Sequence, residues 1–385
     1  MKMTKAWLAA TLVLGMATVA PAQRHKLGEV NAETPEGKLL QEIGQEADEA
    51  KKLAKLEEFT GKHPKHEAAA WALSQMQPAY LKANQLDKAL EIGEKLLALD
   101  PEDVETAHQN LKASEAKKDP DLVKKWAIQT SEIARKVAVS KKPEDEDEVA
   151  EWQRRVDFSK QVDTYTEYSL YATSLALADP AKKLDLMDTL AQRNAKSQYV
   201  GQLENHRFVS YLQLKDFAKA VSVVDQAVAA NTANEDMLLV ATDYYFNQKN
   251  ADKTLDYSAK LVAMMGAKPA PQGVSAEEWE KKKRRSIGAG LFLQGMTLNG
   301  QGKFAQGDKV FREVLPLMDD EQYKAATLFQ LGLANYRLGD IKKAPDTPRI
   351  LDALRFFQQC AAIKSPNQGP AQKNIAAIKA QYRVQ

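Results

Sequence analysis

The feature that most constrains the fold is an internal repeat that runs without a gap from Gly201 to Met264. When its two halves are superposed, Tyr211 falls on Tyr245 and Ala220 falls on Thr254. A fixed period of about 34 residues is typical of stacked helix–turn–helix units, which bury their apolar faces against their neighbours. The sequence therefore predicts an all-α array of helix pairs.

The first 22 residues have the pattern of a secretory signal peptide. Lys2 and Lys5 form a basic start, and the apolar run Ala6–Ala20 is too short to span a bilayer comfortably. Small residues follow up to Ala22, after which we predict cleavage. We therefore expect an exported protein of the periplasm or cell envelope, with an uncleaved N-terminal anchor as the alternative. Later segments lack the length and apolarity of a membrane span, so we expect no transmembrane segment after cleavage.

Charge and cysteine content narrow the classes of partner. The chain has 54 basic and 52 acidic residues, and removal of residues 1–22 takes away two lysines and no acidic residue. The exported chain is therefore formally neutral, which argues against a nucleic-acid partner. The single cysteine, Cys360, precludes an internal disulfide bond and lies in an apolar pattern that predicts a core position.

Periodicity and helix breakers divide the rest of the chain into six segments. These are a flexible tether at 23–34, N-terminal repeat-like helices at 35–120, an irregular helical section at 121–200 that could be a stretched repeat, two contiguous units at 201–265, an inserted loop at 266–287 with an exposed helical start at 276–285, and C-terminal units at 288–383 with a second insertion at 342–350 and a capping helix.

The unit from Trp71 to Asp103 carries the clearest family pattern. Tyr80 lies near the end of its first helix, the small residue Ala89 lies early in its second, and Asp100-Pro101 stops that helix. This pattern resembles the tetratricopeptide repeat. The resemblance implies a right-handed superhelix of antiparallel helix pairs whose concave groove binds a peptide segment or a partner protein.

The resemblance also implies which residues line that groove, since the first helix of each pair faces it in this family. The candidates in this sequence are Asn205, Val209, Leu212, Asp243, Phe246, Asn247, Phe292, Met296, Asn299, Phe329, Tyr336 and Arg337. Some family members clamp a terminal carboxylate with paired Lys and Asn. Here Asn205 has the right type but the lysines are absent, so a mixed apolar and amide groove for an extended peptide is expected. Packing between repeats is the alternative role for many of these residues.

Catalytic and metal-binding signatures are weak. His63, His66 and Glu67 form the one arrangement that suggests a metal, but His63 precedes Pro64 in a turn, which favours a solvated turn instead. The sequence lacks a G-x-S-x-G elbow and an H-E-x-x-H motif, and its glycine-rich stretch fails the spacing of a phosphate loop. We therefore expect no metal, no cofactor and no enzymatic activity, and a scaffold that binds a protein or peptide.

Three alternatives belong to other classes. A hydrolase subunit would use a carboxylate pair such as Glu151 and Asp157. A structural element of an envelope assembly would have no transferable ligand. A carrier for a small ligand or cell-wall fragment would use the aromatic residues of one long predicted helix, which are Trp152, Tyr165, Tyr168 and Tyr171.

Overall fold

A computed structural model of the chain describes residues 25–340 and 344–383. All regular elements of these residues are helical, seventeen α-helices and two short 3-10 turns, which confirms the all-α prediction. They separate into two compact units, unit 1 up to Leu203 and unit 2 from Glu204 onward. The predicted signal peptide at 1–22 lies outside the described residues. None of the described helices combines the length and apolarity needed to cross a membrane.

Unit 1 is built from eight α-helices in which each packs against the next along the chain. They are α1 (Pro35–Gln45), α2 (Glu49–Lys62), α3 (Ala69–Lys82), α4 (Leu86–Leu99), α5 (Val104–Lys117), α6 (Pro120–Ala138), α7 (Glu146–Ala176) and α8 (Pro180–Arg193), followed by a 3-10 turn at Gly201–Leu203. The first helices of successive pairs also touch, α3 against α5 and α5 against α7. The section predicted to be irregular is therefore a regular continuation with one long helix.

Aspartate caps explain why several of these helices begin where they do. Asp119 accepts a hydrogen bond from the backbone N–H of Leu122 at 3.1 Å, and Pro120 occupies the first turn of α6. Asp179 and Pro180 repeat the arrangement at α8. A side-chain oxygen satisfies a free N–H of the first turn, and proline fits there because its missing N–H is not needed.

The segment expected to be a flexible tether contacts unit 1 where the structure describes it. The imidazole Nε2 of His25 lies 3.2 Å from Oδ2 of Asp103. Leu27 and Val30 pack against the core of unit 1. These two apolar side chains give the segment something to bury, which its lack of periodicity did not reveal.

Unit 2 contains nine α-helices. They are α9 (Glu204–Gln213), α10 (Phe217–Ala229), α11 (Glu235–Asn247), α12 (Ala251–Ala267), α13 (Ala276–Gly300), α14 (Phe304–Val314), α15 (Glu321–Gly339), α16 (Thr347–Ala361) and α17 (Gln368–Tyr382), with a 3-10 turn at Leu315–Leu317. Each pairs with the next, and the first helices α11, α13 and α15 are neighbours. Helix α17 packs on α16 at the end of the unit.

The inserted stretch at 266–287 differs from the predicted loop. Helix α12 continues to Ala267, and α13 begins at Ala276 and runs without interruption to Gly300. Ser275 and Glu278 form a capping box that fixes this start. Trp279 in the first turn is buried, so this turn packs instead of standing exposed. The true loop is therefore limited to residues 268–275.

The second insertion is also partly helical. Helix α16 begins at Thr347 with Pro348 in its first turn, so the last part of the predicted spacer at 342–350 belongs to the helix. Residues 341–343 lie outside the described residues. The last four residues of the predicted spacer therefore form the first turn of α16.

A buried carboxylate ties three helices of unit 2 together. Glu235, in the first turn of α11, accepts hydrogen bonds from Nζ of Lys268 at 2.6 Å and from Nζ of Lys282 at 2.7 Å. Burial alone would raise the pKa of Glu235, but these two hydrogen bonds outweigh it and lower the pKa to about 2. The ionised form is therefore the one that the folded state favours.

Replacing Glu235 with glutamine should lower the free energy of unfolding by about 2 kcal/mol at pH 7. This loss is smaller than the loss expected for a fully buried ion pair, because both lysines are partly solvated. The contribution of Glu235 is present above its ordinary pKa of 4.5 and is lost as the pH falls towards 2. Urea denaturation at pH 7 and pH 3 should therefore show a smaller difference between parent and variant at pH 3 than at pH 7. Asp236→Asn, an exposed neighbour, is the matched control, and an equal loss in that variant would contradict the prediction.

Candidate functional site

The twelve groove candidates occupy four equivalent positions on the first helices of unit 2. The sets are Asn205, Phe292 and Phe329; Val209, Asp243 and Met296; Leu212, Phe246, Asn299 and Tyr336; and Asn247 and Arg337. The members of each set therefore occupy the same position on their respective first helices. Burial divides most of them into an exposed group and a packed group, and Phe246 is half-buried outside the core clusters.

The exposed group is polar with one apolar member. Asn205, Asp243, Asn247 and Arg337 are exposed, and Val209 is 41% exposed. The side-chain amide of Asn247 donates to the backbone oxygen of Asp243 at 3.0 Å and to its Oδ2 at 3.1 Å. This holds an amide and a carboxylate side by side on the surface of α11.

The packed group serves mainly the core. Phe292 lies edge-on to Phe311 at 5.9 Å between ring centroids, and Phe329 lies edge-on to Phe357 at 5.5 Å. The members that pack against a core cluster are Leu212, Phe292, Met296, Phe329 and Tyr336. The two ring contacts join the first helix of a pair to its second helix, and all five side chains are half-buried, so only part of each could face a ligand.

Two asparagines of the candidate set connect adjacent first helices. Asn205 accepts a hydrogen bond from the side-chain amide of Asn234 at 3.0 Å. Asn299 donates to Oε1 of Gln330 at 3.0 Å. Its other amide atom, Oδ1, is buried against Gly307, where a Cβ would lie only 2.0 Å away. Asn299 is therefore placed for helix packing more than for ligand contact.

Unit 1 carries a second surface, a chain of touching aromatic rings here called the aromatic track. Centroid distances along it are 6.1 Å from Phe158 to His108, 4.9 Å from His108 to Tyr165 and 6.1 Å from Tyr165 to Tyr168. Tyr199 then lies 6.0 Å from Tyr168. The full set is His108, Phe158, Tyr165, Tyr168, Tyr171 and Tyr199.

Sequence reasoning found part of this track. Tyr165, Tyr168 and Tyr171 are brought together, whereas the indole of Trp152 donates to Oγ of Ser140 at 3.0 Å. Phe158 was missed, although a spacing of seven from Tyr165 puts both on one stripe of a helix. His108 and Tyr199 come from other elements, and no local pattern could have joined them to the stripe.

Two titratable groups of α5 are shifted towards their neutral forms. Burial, together with the charge of Lys112, lowers the pKa of His108 to about 4. Burial and the neighbouring Asp103 raise the pKa of Glu105 to about 7, against the opposing effect of Lys112. The imidazole is thus neutral at pH 7, and the carboxyl is partly protonated.

The remaining sequence candidates lie apart. Both His63 and His66 place their rings against Phe59, and Nδ1 of His66 accepts the N–H of Ala68 at 3.0 Å. Asp157 is exposed and accepts a hydrogen bond from Gln153 at 3.0 Å. These contacts assign packing and surface roles to the three side chains.

A small residue recurs at one position of the second helices. Ala89, Ala220, Thr254 and Gly307 are all buried, and each stands three residues after the start of its helix, in α4, α10, α12 and α14. Helix pairs with a small residue at this position are what the resemblance to the tetratricopeptide repeat implies. The close approach of paired helices at this position is what the small side chain permits.

Similar solved structures have low sequence identity to this chain. The TPR domain of P58(IPK) is 13% identical, with 91% of this chain and 89% of that chain covered and a TM-score of 0.26. The apo form of RapI is 12% identical, with 73% and 72% covered and a TM-score of 0.36. A tetratricopeptide repeat protein from Parabacteroides merdae is 12% identical, with 89% and 98% covered and a TM-score of 0.26. No protein-family model and no curated protein matches this chain.

Proposed function

We propose that this protein is an exported, non-enzymatic scaffold that binds an extended segment of a partner protein on the first helices of unit 2. The observation that carries the proposal is the fixed pair of Asp243 and Asn247 on α11. Val209, which occupies the position on α9 that corresponds to Asp243, is exposed as well. An extended segment leaves its backbone N–H and C=O groups unpaired, and a carboxylate and an amide can accept from and donate to them.

The packed residues support this surface without needing to touch the ligand. Phe292 and Phe329 fix neighbouring helices through ring contacts, and the bond from Asn299 to Gln330 links α13 to α15. A surface held in place in this way loses little side-chain freedom on binding. Export rests on the signal-peptide pattern of residues 1–22, and it places the partner in the periplasm or cell envelope.

The test uses the chain without its signal peptide against a displayed library of random linear peptides. We expect enriched peptides whose affinity falls at least about five-fold in an Asp243→Ala, Asn247→Ala double variant, since hydrogen bonds to a backbone would be lost. The matched control is Asp256→Ala, which removes an exposed aspartate from the second helix of the same pair. Failure to enrich any peptide, or equal affinity in the double variant and the parent, would reject the proposal.

A further inference from the structure

The aromatic track of unit 1 presents rings to solvent that a folded core would normally cover. Phe158 is 38% exposed and Tyr168 is 47% exposed, although both contact other rings. Both lie on one stripe of α7, with Tyr165 between them. Exposed aromatic side chains grouped in this way mark interaction surfaces.

A polar atom at the base of the track also lacks a partner. His108 is only 5% exposed, and its Nε2 makes no hydrogen bond with any described residue. The ring lies edge-on to Phe158 and Tyr165, with centroids 6.1 Å and 4.9 Å away. Because the imidazole is neutral at pH 7, one tautomer could donate from Nε2 to a carbonyl oxygen once the exposed Phe158 side chain turns aside.

We propose that the aromatic track binds a proline-rich segment in the polyproline II conformation. This inference rests on the proposed scaffold function in one respect, which is that the ligand is a polypeptide. The binding site that it proposes lies on unit 1. Proline-rich segments dock into grooves lined by aromatic rings because they enter with little conformational entropy to lose. Their backbone carbonyls have no internal partners and accept hydrogen bonds from the groove.

The dimensions of the track fit such a segment. Ten helical residues separate Phe158 from Tyr168, which is about 15 Å along the axis of α7. A polyproline II chain rises about 3.1 Å per residue, so about five residues would lie along this stripe.

The tilt of the rings favours proline over a sugar chain. Neighbouring ring planes meet at 60° between Phe158 and His108, at 47° between Tyr165 and Tyr168, and at 55° between Tyr168 and Tyr199. Tilted rings leave notches between them that suit a compact pyrrolidine ring. Tyr171 and Tyr199 alone are nearly parallel, at 25°, so the track forms no continuous flat platform along which several sugar rings could stack.

The experiment measures binding of a fluorescently labelled ten-residue oligoproline to the full chain by anisotropy, beside a glycine–serine peptide of the same length. We expect the oligoproline alone to bind, and its affinity to fall about ten-fold in Tyr168→Ala and in Phe158→Ala. Tyr168→Phe keeps the ring and should retain most of the affinity. Tyr323→Ala, which removes a tyrosine of unit 2 that is 57% exposed, is the matched control and should bind like the parent.

The arms of this experiment separate the two proposals. Loss of oligoproline binding in the Asp243→Ala, Asn247→Ala variant, with none in Tyr168→Ala, would place the ligand on unit 2 and overturn the assignment to the track. Equal binding of the two peptides would overturn it as well. Binding of a chitin oligosaccharide that Tyr168→Ala abolishes, without binding of oligoproline, would show that the track takes glycans. Far-UV circular dichroism of each variant checks that unit 1 remains folded.

Discussion

Replacing Asp308 with alanine should lower the free energy of unfolding by about 3 kcal/mol, because it breaks a buried polar cluster from one side. Asp308, in α14, accepts hydrogen bonds from Nε of Arg312 at 3.0 Å, from Nη1 of Arg349 at 3.0 Å and from the amide of Asn335 at 2.7 Å. The carboxylate is buried, and the partners come from three different helices. Its removal leaves the Asn335 and Arg349 donors without their anion.

The ionised state of Asp308 belongs to the folded structure. Burial alone would raise the pKa of this carboxyl, but the donors of Arg312, Asn335 and Arg349 together lower it. Arg349 stands in the first turn of α16, so the cluster also fixes the helix that follows the second insertion. Loss of Asp308 should therefore loosen α16 first, which hydrogen exchange at its amides would report.

The matched control is Asp352→Ala, which removes the partly exposed partner of Arg312 at 3.1 Å. Exposed ion pairs of this kind contribute little, so we expect a loss below about 1 kcal/mol. Urea denaturation of the two variants at pH 7 gives the comparison. Equal losses would show that the cluster around Asp308 adds nothing beyond a surface ion pair.

The fold was predictable because its strongest signals are local. The superposition of Ala220 on Thr254 fixed the period, and both residues are buried at equivalent places in α10 and α12. The long helix predicted in the middle section is α7. The inserted stretch at 276–287 was misread because its charged sequence suggested an exposed start, whereas burial of Trp279 depends on contacts that sequence spacing does not encode.

The candidate site was less predictable, since equivalent positions on repeats need not have equivalent exposure. Asp243 and Met296 occupy equivalent positions, yet Asp243 is exposed and Met296 packs against a core cluster. The aromatic track needed contacts between α5 and α7, which no pattern within one helix could provide.

A second large effect should come from Gly332→Val, with an expected loss of about 2 to 3 kcal/mol in the free energy of unfolding. A Cβ at Gly332 would lie 2.6 Å from Cε1 of Phe357, so the ring or the helix must move. The same relation holds between Gly295 and Phe311, where the Cβ would lie 2.7 Å from the ring. In these pairs a glycine on the first helix provides the room for a phenylalanine on the second.

This interpretation requires the two residues to be coupled. Phe357→Leu alone should also destabilise, because it leaves a cavity beside Gly332. If the clash with Phe357 causes the loss in Gly332→Val, leucine at position 357 should make room for the valine. The free energy of unfolding of the Gly332→Val, Phe357→Leu double variant should then fall by at least about 1 kcal/mol less than the sum of the two single losses. Gly44→Val, at a helical glycine with no neighbouring atom within 4 Å of the new Cβ, is the control and should change stability by less than about 0.5 kcal/mol. If the losses of the two single variants simply add, the loss in Gly332→Val would instead come from the backbone of α15. The fit between a glycine on the first helix and a phenylalanine on the second would then not determine how closely the two helices pack.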